Sequence, residues 1–99
     1  MREEEIPKVS VCVVTYNHEK YIRQCLQSLV EQKTNFSFEV IVGDDCSTDE
    51  TRTIIDEFIR TYPKIIRPLY QSVNKGPTAN YMATHQSAKG TYIAHMDGA

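Results

Sequence analysis

A chain of 99 residues is long enough for one domain with a modest hydrophobic core. Its hydrophobic fraction of 40% and charged fraction of 24% are typical of an ordinary globular protein. A net charge of -2 without a densely basic stretch argues against a nucleic-acid-binding surface, and no apolar run reaches the roughly 20 residues that a membrane span needs.

The N-terminus and the cysteines indicate the compartment in which the protein works. Residues 1–7 form a charged lead-in that is too acidic for a signal peptide. Cys12, Cys25 and Cys46 are odd in number and lack C-x-x-C spacing, which argues against a disulfide framework and a zinc site. We therefore expect a protein of the reducing cytoplasm, with Cys12 and Cys25 in the core.

Strand and helix patterns alternate from residue 8 onward. Residues 8–15 (KVSVCVVT) are nearly continuous in β-branched apolar residues, which favours a strand buried on both faces. Apolar residues then recur at helical spacing over 16–32, where Asn17 is predicted as the N-cap and Glu19 falls in the first turn. Residues 38–44 (FEVIVGD) predict the second strand.

The middle of the chain repeats this alternation. A second helix is predicted over 47–62, because Ser47 and Glu50 have the Ser-x-x-Glu spacing of a capping box before an amphipathic segment. Residues 65–71 predict a third strand, and Pro68 indicates that this strand is irregular or lies at an edge.

The last elements complete an α/β pattern. Residues 74–90 predict a loop and a short helix, with Pro77 in the first turn and Gly90 as the C-terminal stop. Residues 91–97 predict a fourth strand. The order β-α-β-α-β-α-β predicts a three-layer sandwich, in which a mainly parallel sheet carries helices on both faces.

Polar residues follow each of the four predicted strands. In sheets of this kind, ligands bind beyond the carboxyl ends of the strands, so these residues predict a ligand cleft. They are Thr15, Tyr16 and Asn17, then Asp44 and Asp45, then Asn74, Lys75 and Gly76, and finally Asp97.

Several of these residues also have a purely structural interpretation. Adjacent residues of an extended chain point to opposite sides, so only one of Asp44 and Asp45 should face the cleft, and Asp45 is preferred. Asp44 fits a turn or helix cap equally well. Tyr16 could stack on a base or close the core, and Asn17 fits a plain helix cap better than a ligand contact.

The third and fourth strand ends leave similar alternatives. Asn74 and Gly76 resemble a turn, with Gly76 in a conformation closed to other residues, and Lys75 is either a phosphate partner or solvated. The three histidines share no metal-ligand spacing, and His95 is interpreted as a core or sheet-face residue. Asp97, followed by glycine, suits a bound divalent cation.

Four segments of the chain, taken together in their sequence order, resemble the N-terminal half of an inverting family-two glycosyltransferase. Such enzymes have the nucleotide-diphospho-sugar transferase (GT-A) fold. The resemblance covers Lys8 to Gly98. The segments are VSVCVVTYNHEKYIRQCLQSLVEQ, FEVIVGDDCSTDET, NKGPTAN and TYIAHMDG.

The resemblance implies a role for each matching position. One segment would wrap the base and ribose of a nucleotide-sugar donor, Asp45 would contact the base, and a loop and helix would complete the donor site. The implied nucleotide-binding residues are Val14, Thr15, Tyr16, Asn17, Glu19, Asp45, Asn74, Gly76 and Asn80.

The resemblance also implies a cation, and the sequence departs from the family there. Asp97 would open an Asp-x-Asp motif that binds Mg2+ or Mn2+ at the donor's diphosphate. Ala99 stands where the family has the second acid, and Cys46 stands where the family usually has glycine after its acid pair. The family's catalytic base lies farther along the chain than this sequence reaches.

These implications together predict a donor-binding part of a larger transferase. Residues 8–99 would bind a UDP-linked sugar, and the larger enzyme would transfer it with inversion to a saccharide or lipid-linked acceptor. The chain alone would be inactive. The larger enzyme would build surface polysaccharide or lipopolysaccharide in the cytoplasm, at the inner face of the membrane.

Two readings from other classes remain open at this point. Paired acids and a further Asp at strand ends also occur in receiver-like domains that bind Mg2+, although receivers carry the acid pair after the first strand. A non-catalytic fragment could instead self-associate as a homodimer through an uncovered sheet edge. A dinucleotide-binding enzyme is not favoured, because no G-x-G-x-x-G follows the first strand.

Overall fold

Four parallel strands and three helices alternate along the chain in the computed structural model, which describes residues 6–97, with the backbone alone for Asp97. The sheet order is β3-β2-β1-β4, and every strand pair is parallel, which confirms the predicted α/β class. The elements are β1 (Val9–Thr15), α1 (Ile22–Val30), β2 (Phe38–Asp44), α2 (Thr51–Thr61), β3 (Ile66–Tyr70), α3 (Pro77–Ser87) and β4 (Tyr92–Asp97).

The hydrophobic core lies between the sheet and the pair α1 and α2. Val13 and Val42 of the two central strands are fully buried there, and for β1 this agrees with the nearly continuous apolar run of its sequence. The helices contribute one apolar face each, with Ile22 and Ile55 completely buried. The opposite face of the sheet packs against α3, where the Cys12 thiol lies 3.8 Å from the Thr84 carbonyl.

Two glycines allow α3 and its C-terminal loop to approach the sheet closely. A Cβ atom on Gly43 would lie 1.9 Å from Thr84 Oγ1. A Cβ atom on Gly90 would lie 2.6 Å from the backbone nitrogen of Ser10. The prediction of Gly90 as the helix stop is therefore wrong, since α3 ends at Ser87 and Gly90 is required by its contact with β1.

The predicted starts of the first two helices lie several residues before the observed ones. Asn17 is not the N-cap of α1 and Glu19 is not in its first turn, because the helix begins at Ile22. The capping box of Ser47 is also absent, since α2 begins at Thr51 without a side-chain cap. The residues between each strand and its helix are instead used in loop contacts at the sheet edge.

The edges of the sheet agree with the sequence pattern. Pro68 lies in the edge strand β3, as predicted. On the other side, Tyr92, Ile93 and Met96 of β4 are exposed. The homodimer expected through such an edge stays a prediction.

Cys12 and Cys25 lie in or against the core, as predicted. Cys12 is completely buried and Cys25 packs against the core, and no disulfide forms within residues 6–97. None of the helices in this range has the length and apolar character needed to cross a membrane.

A buried carboxylate, Glu39, joins the sheet to the loop after α3. Glu39 accepts hydrogen bonds from Ser10 Oγ at 2.6 Å and from the Lys89 N–H at 2.9 Å. Arg67 Nη2 lies 3.0 Å from its other oxygen. Burial alone would raise the pKa of the Glu39 carboxyl, but these hydrogen bonds outweigh it and hold the pKa below its ordinary value of 4.5.

We expect Glu39→Gln to lower the free energy of unfolding by about 2 kcal/mol at neutral pH, because an amide leaves charged and backbone donors without a matching acceptor. The lowered pKa means that the ionised carboxylate stabilises the fold above about pH 4.5. This contribution is lost as the pH falls through the lowered folded value. Denaturant unfolding across the acidic range measures both effects.

Glu57→Gln is the matched control, because Glu57 forms an exposed ion pair with Arg23 at 2.8 Å. Exposed pairs contribute little to stability, so this variant should unfold like the unaltered chain. Equal unfolding free energies for the Glu39 and Glu57 variants at neutral pH would contradict the structural role of Glu39.

Candidate functional site

A cavity of about 370 Å³ opens at the carboxyl ends of β1 and β2, beside the N-terminus of α3. Most of the predicted nucleotide-binding residues line it, and Asn17, Glu19 and Gly76 do not. The lining residues are Val14, Thr15, Tyr16, His18, Asp45, Asn74, Pro77 and Asn80. The structure thus brings the polar strand ends together as predicted.

The end of β1 supplies one wall of the cavity. Thr15 is buried, and its carbonyl oxygen accepts a hydrogen bond from the Asp45 N–H at 3.0 Å. Its hydroxyl lies 3.0 Å from Nδ1 of His18, which fixes the imidazole at the cavity. Tyr16 is 42% exposed and so presents its ring to solvent at the rim.

Asp45 shapes the loop that follows β3. Its carboxylate accepts the Lys75 N–H at 2.7 Å and the Gly76 N–H at 2.9 Å, while Asn74 Nδ2 donates to the Asp45 carbonyl at 3.2 Å. Gly76 has φ of 91°, which confirms the predicted conformation closed to other residues. A carboxylate has about four acceptor sites, so Asp45 can still accept a hydrogen bond from a ligand.

Asp44 is a structural residue, as one of its two interpretations predicts. It is completely buried, and one carboxylate oxygen lies 2.5 Å from Arg52 Nε. The same carboxylate accepts the Ser47 N–H at 3.0 Å and also the Ser47 hydroxyl. Asp44 therefore closes the turn into α2, whereas its neighbour lines the cavity.

The loops after β1 and β2 hold each other in place. The Asn17 N–H donates to Ser47 Oγ at 2.9 Å, and Asn17 Oδ1 accepts the Thr48 N–H at 2.8 Å. The Glu19 N–H donates to Asp49 Oδ2 at 3.3 Å. These contacts explain why Asn17 and Glu19 support the cavity without lining it.

Left-handed backbone occurs at two residues of these loops. Asn17 has φ of 53° and Cys46 has φ of 64°, a region that favours glycine. The backbone at Cys46 thus has the conformation that a glycine would adopt, in agreement with the family pattern.

Asn80 of α3 forms part of the cavity wall. Its side chain is 2% exposed, with Nδ2 donating to the Gly43 carbonyl at 2.9 Å and Oδ1 accepting from Gln71 at 3.3 Å. Lys75 nearby is exposed, as its solvated interpretation predicts.

The predicted metal position lies at the border of the described residues. Asp97 pairs with Val14 in the β1–β4 register, which places its backbone beside the cavity. Its side chain, Gly98 and Ala99 lie outside the described part of the chain. Within the described part, no group of three His, Cys, Asp or Glu side chains forms a metal centre.

His18 and Pro77 line the cavity, although the sequence analysis assigned neither of them to the site. The signal available was weak, because His18 lies three residues after the buried Thr15 in a segment predicted to be helical. Its position depends on the hydroxyl of Thr15 and on its own N–H, which donates to Thr51 Oγ1 at 3.0 Å.

Comparison with known proteins gives one consistent group of relatives. Residues 10–98 match the model of the family described as glycosyl transferase family 2. Abequosyltransferase RfbV of Salmonella typhimurium is 36% identical over 85 residues, which are 85% of this chain and 26% of that protein. An uncharacterised protein of Mycobacterium tuberculosis is 40% identical over 90 residues, which are 91% of this chain and 26% of that protein.

Solved structures of transferases share the fold. A mannosyltransferase of Pyrobaculum calidifontis, solved with GDP-Man and Mn2+, superposes with a TM-score of 0.82 at 25% identity over 96% of this chain and 28% of that one. TarS of Staphylococcus aureus, solved with UDP-GlcNAc, gives a TM-score of 0.75 at 35% identity over 92% of this chain and 26% of that one. The chain thus spans about a quarter of the length of these relatives.

We expect Asp45→Asn to loosen the 74–76 turn, because an amide offers one acceptor oxygen where two backbone N–H groups now donate to a carboxylate. The free energy of unfolding should fall by about 1 to 2 kcal/mol, and the Lys75 and Gly76 amides should exchange with solvent faster. Residue-resolved hydrogen exchange measures this directly.

Lys75→Ala is the control, because it keeps the backbone N–H that Asp45 binds and removes only an exposed side chain. Unchanged exchange at Gly76 in the Asp45 variant would contradict the role of Asp45 in holding the turn.

Proposed function

Because the chain belongs to glycosyl transferase family 2, we propose that its cavity binds the nucleotide of a nucleotide-diphospho-sugar donor, with UDP as the nucleotide. Two cavity residues carry this proposal. The exposed ring of Tyr16 offers a stacking surface for the base, and the Asp45 carboxylate offers an acceptor for a base N–H.

The reaction proposed for the longer enzyme is sugar transfer with inversion. An acceptor hydroxyl attacks the anomeric carbon from the side opposite the nucleoside diphosphate, the bond to the diphosphate breaks, and a general base takes the hydroxyl proton. We assign no catalytic base within this chain. In this proposal the chain alone binds the donor without transferring its sugar.

A divalent cation belongs to the proposal at the level of the family. The mannosyltransferase with a similar fold was solved with Mn2+. Mg2+ or Mn2+ bound near Asp97 would supply stabilisation of the charge that develops on the leaving diphosphate. No step is assigned to the ion here, because the described residues do not form its site.

The names of the relatives support a donor and a class of product. TarS, a poly(ribitol-phosphate) beta-N-acetylglucosaminyltransferase that was solved with UDP-GlcNAc, is 36% identical over 91 residues. We propose by analogy that the acceptor is a saccharide or lipid-linked glycan of a surface polymer. The proposed location is the cytoplasmic side of the membrane.

Titration calorimetry of UDP into the chain, with and without Mn2+, tests the proposal. Tyr16→Ala should weaken UDP binding by about tenfold or more, since base stacking on an aromatic ring contributes about 1 to 3 kcal/mol. Tyr92→Ala is the matched control, because Tyr92 is 62% exposed and pairs with Val9 at the opposite end of the sheet.

Three outcomes decide between the possibilities. Weaker binding for the Tyr16 variant alone supports a nucleotide site at the strand ends. Equal weakening by both variants, or no UDP binding at millimolar concentration, contradicts the proposal for this chain. Tighter binding of GDP than of UDP would overturn the choice of nucleotide and retain the site.

A further inference from the structure

Two histidines face each other on the surface between α3 and β4, farther along the helix than the cavity. Nδ1 of His85 lies 3.1 Å from Nε2 of His95, and their rings are 11° from parallel with centroids 5.1 Å apart. The Tyr81 ring lies 4.4 Å from the His95 ring, between centroids. Both histidines are exposed, so ions in solution can reach them.

The separation of the two nitrogens is close to that of two imidazoles on one metal ion. Zinc–imidazole bonds of about 2.0 to 2.1 Å at a tetrahedral angle place the two nitrogens about 3.3 Å apart. The observed distance of 3.1 Å is close to this value, and chelation requires the two rings to turn until both lone pairs point at one ion. Imidazole nitrogen is a ligand that Zn2+, Ni2+ and Cu2+ accept well, whereas Mg2+ prefers oxygen.

We propose that His85 and His95 form a two-histidine site for one transition-metal dication, with water completing the coordination. In the absence of metal, one nitrogen donates a proton to the other. On binding, that proton moves to the other nitrogen of the same ring, so both facing nitrogens present lone pairs to the ion. The two coordinate bonds replace bonds from the hydrated ion to water, which is released, and the tautomer change is the only other bond rearrangement.

The site would fasten an edge strand to a helix. Within the described residues β4 pairs with β1 alone, so its outer side has no strand neighbour. An ion held by one residue of β4 and one residue of α3 would add a metal link to the side-chain contacts that already join this strand to the helix. Metal binding should therefore stabilise the folded chain, because the unfolded chain does not hold the two imidazoles together.

Calorimetric titration with NiCl2 or ZnCl2 in a non-chelating buffer tests the proposal. We expect one ion per chain and a rise in the thermal unfolding midpoint on saturation. His85→Ala and His95→Ala should each lower the affinity by about tenfold or more. Tyr92→Ala is the matched control and should leave the metal affinity unchanged, because it removes only an exposed ring of the same strand. MgCl2 should give no comparable binding.

A measurement on the unaltered chain tests the proposal even if the variants fail to fold. Substoichiometric Ni2+ should broaden the imidazole NMR signals of His85 and His95 and leave those of His18 sharp. Absence of binding to the folded chain overturns the proposal. Broadening at His18, or an affinity that the His85 and His95 variants leave unchanged, would place the ion elsewhere and overturn it equally. The proposal does not rest on the nucleotide site, so absence of metal binding leaves that site unaffected, whereas broadening at His18 would place the ion at the cavity.

Discussion

The parallel pairing of β1 with β2 is the constraint on which the cavity depends. The register places Thr15 opposite Asp44, so both strands end at the same level of the sheet. One further hydrogen bond, from the Asp45 N–H to the Thr15 carbonyl, continues this pairing beyond the strands. Tyr16 and Asp45, the residues that follow the two strands, therefore line the cavity from fixed positions. From its position Asp45 can also reach the turn at Gly76.

The loops after β1 and β2 combine unfavourable backbone conformations with many hydrogen bonds. Asn17 and Cys46 both have left-handed conformations, which cost a residue such as Cys46 about 1 kcal/mol or more and cost asparagine less. The contacts of Asn17 with Ser47 and Thr48 offset this cost by joining the two loops. Rigid support of this kind suits a binding site, because less order then has to be imposed when a ligand arrives.

The sequence predicted the strands and the location of the cavity more accurately than the helix starts. The bounds of the second strand, 38–44, match β2, because a segment rich in β-branched apolar residues that ends in acids has few alternatives. Asn17 and Ser47 are residue types that cap helices, and local spacing does not reveal that they bind each other's loops instead. The contact of Gly90 with Ser10 spans 80 positions, so only the folded chain shows why glycine is needed there.

Mapping of UDP by NMR tests the central claim, that the strand ends form the nucleotide site, most directly. The account predicts that backbone amide shifts on addition of UDP cluster at Tyr16, Asp45 and the 74–80 segment. The amide signals around Glu39 and Lys89, at the amino ends of the strands, should not shift. Shifts that cluster at those amino ends, or on α1 and α2, would contradict the account.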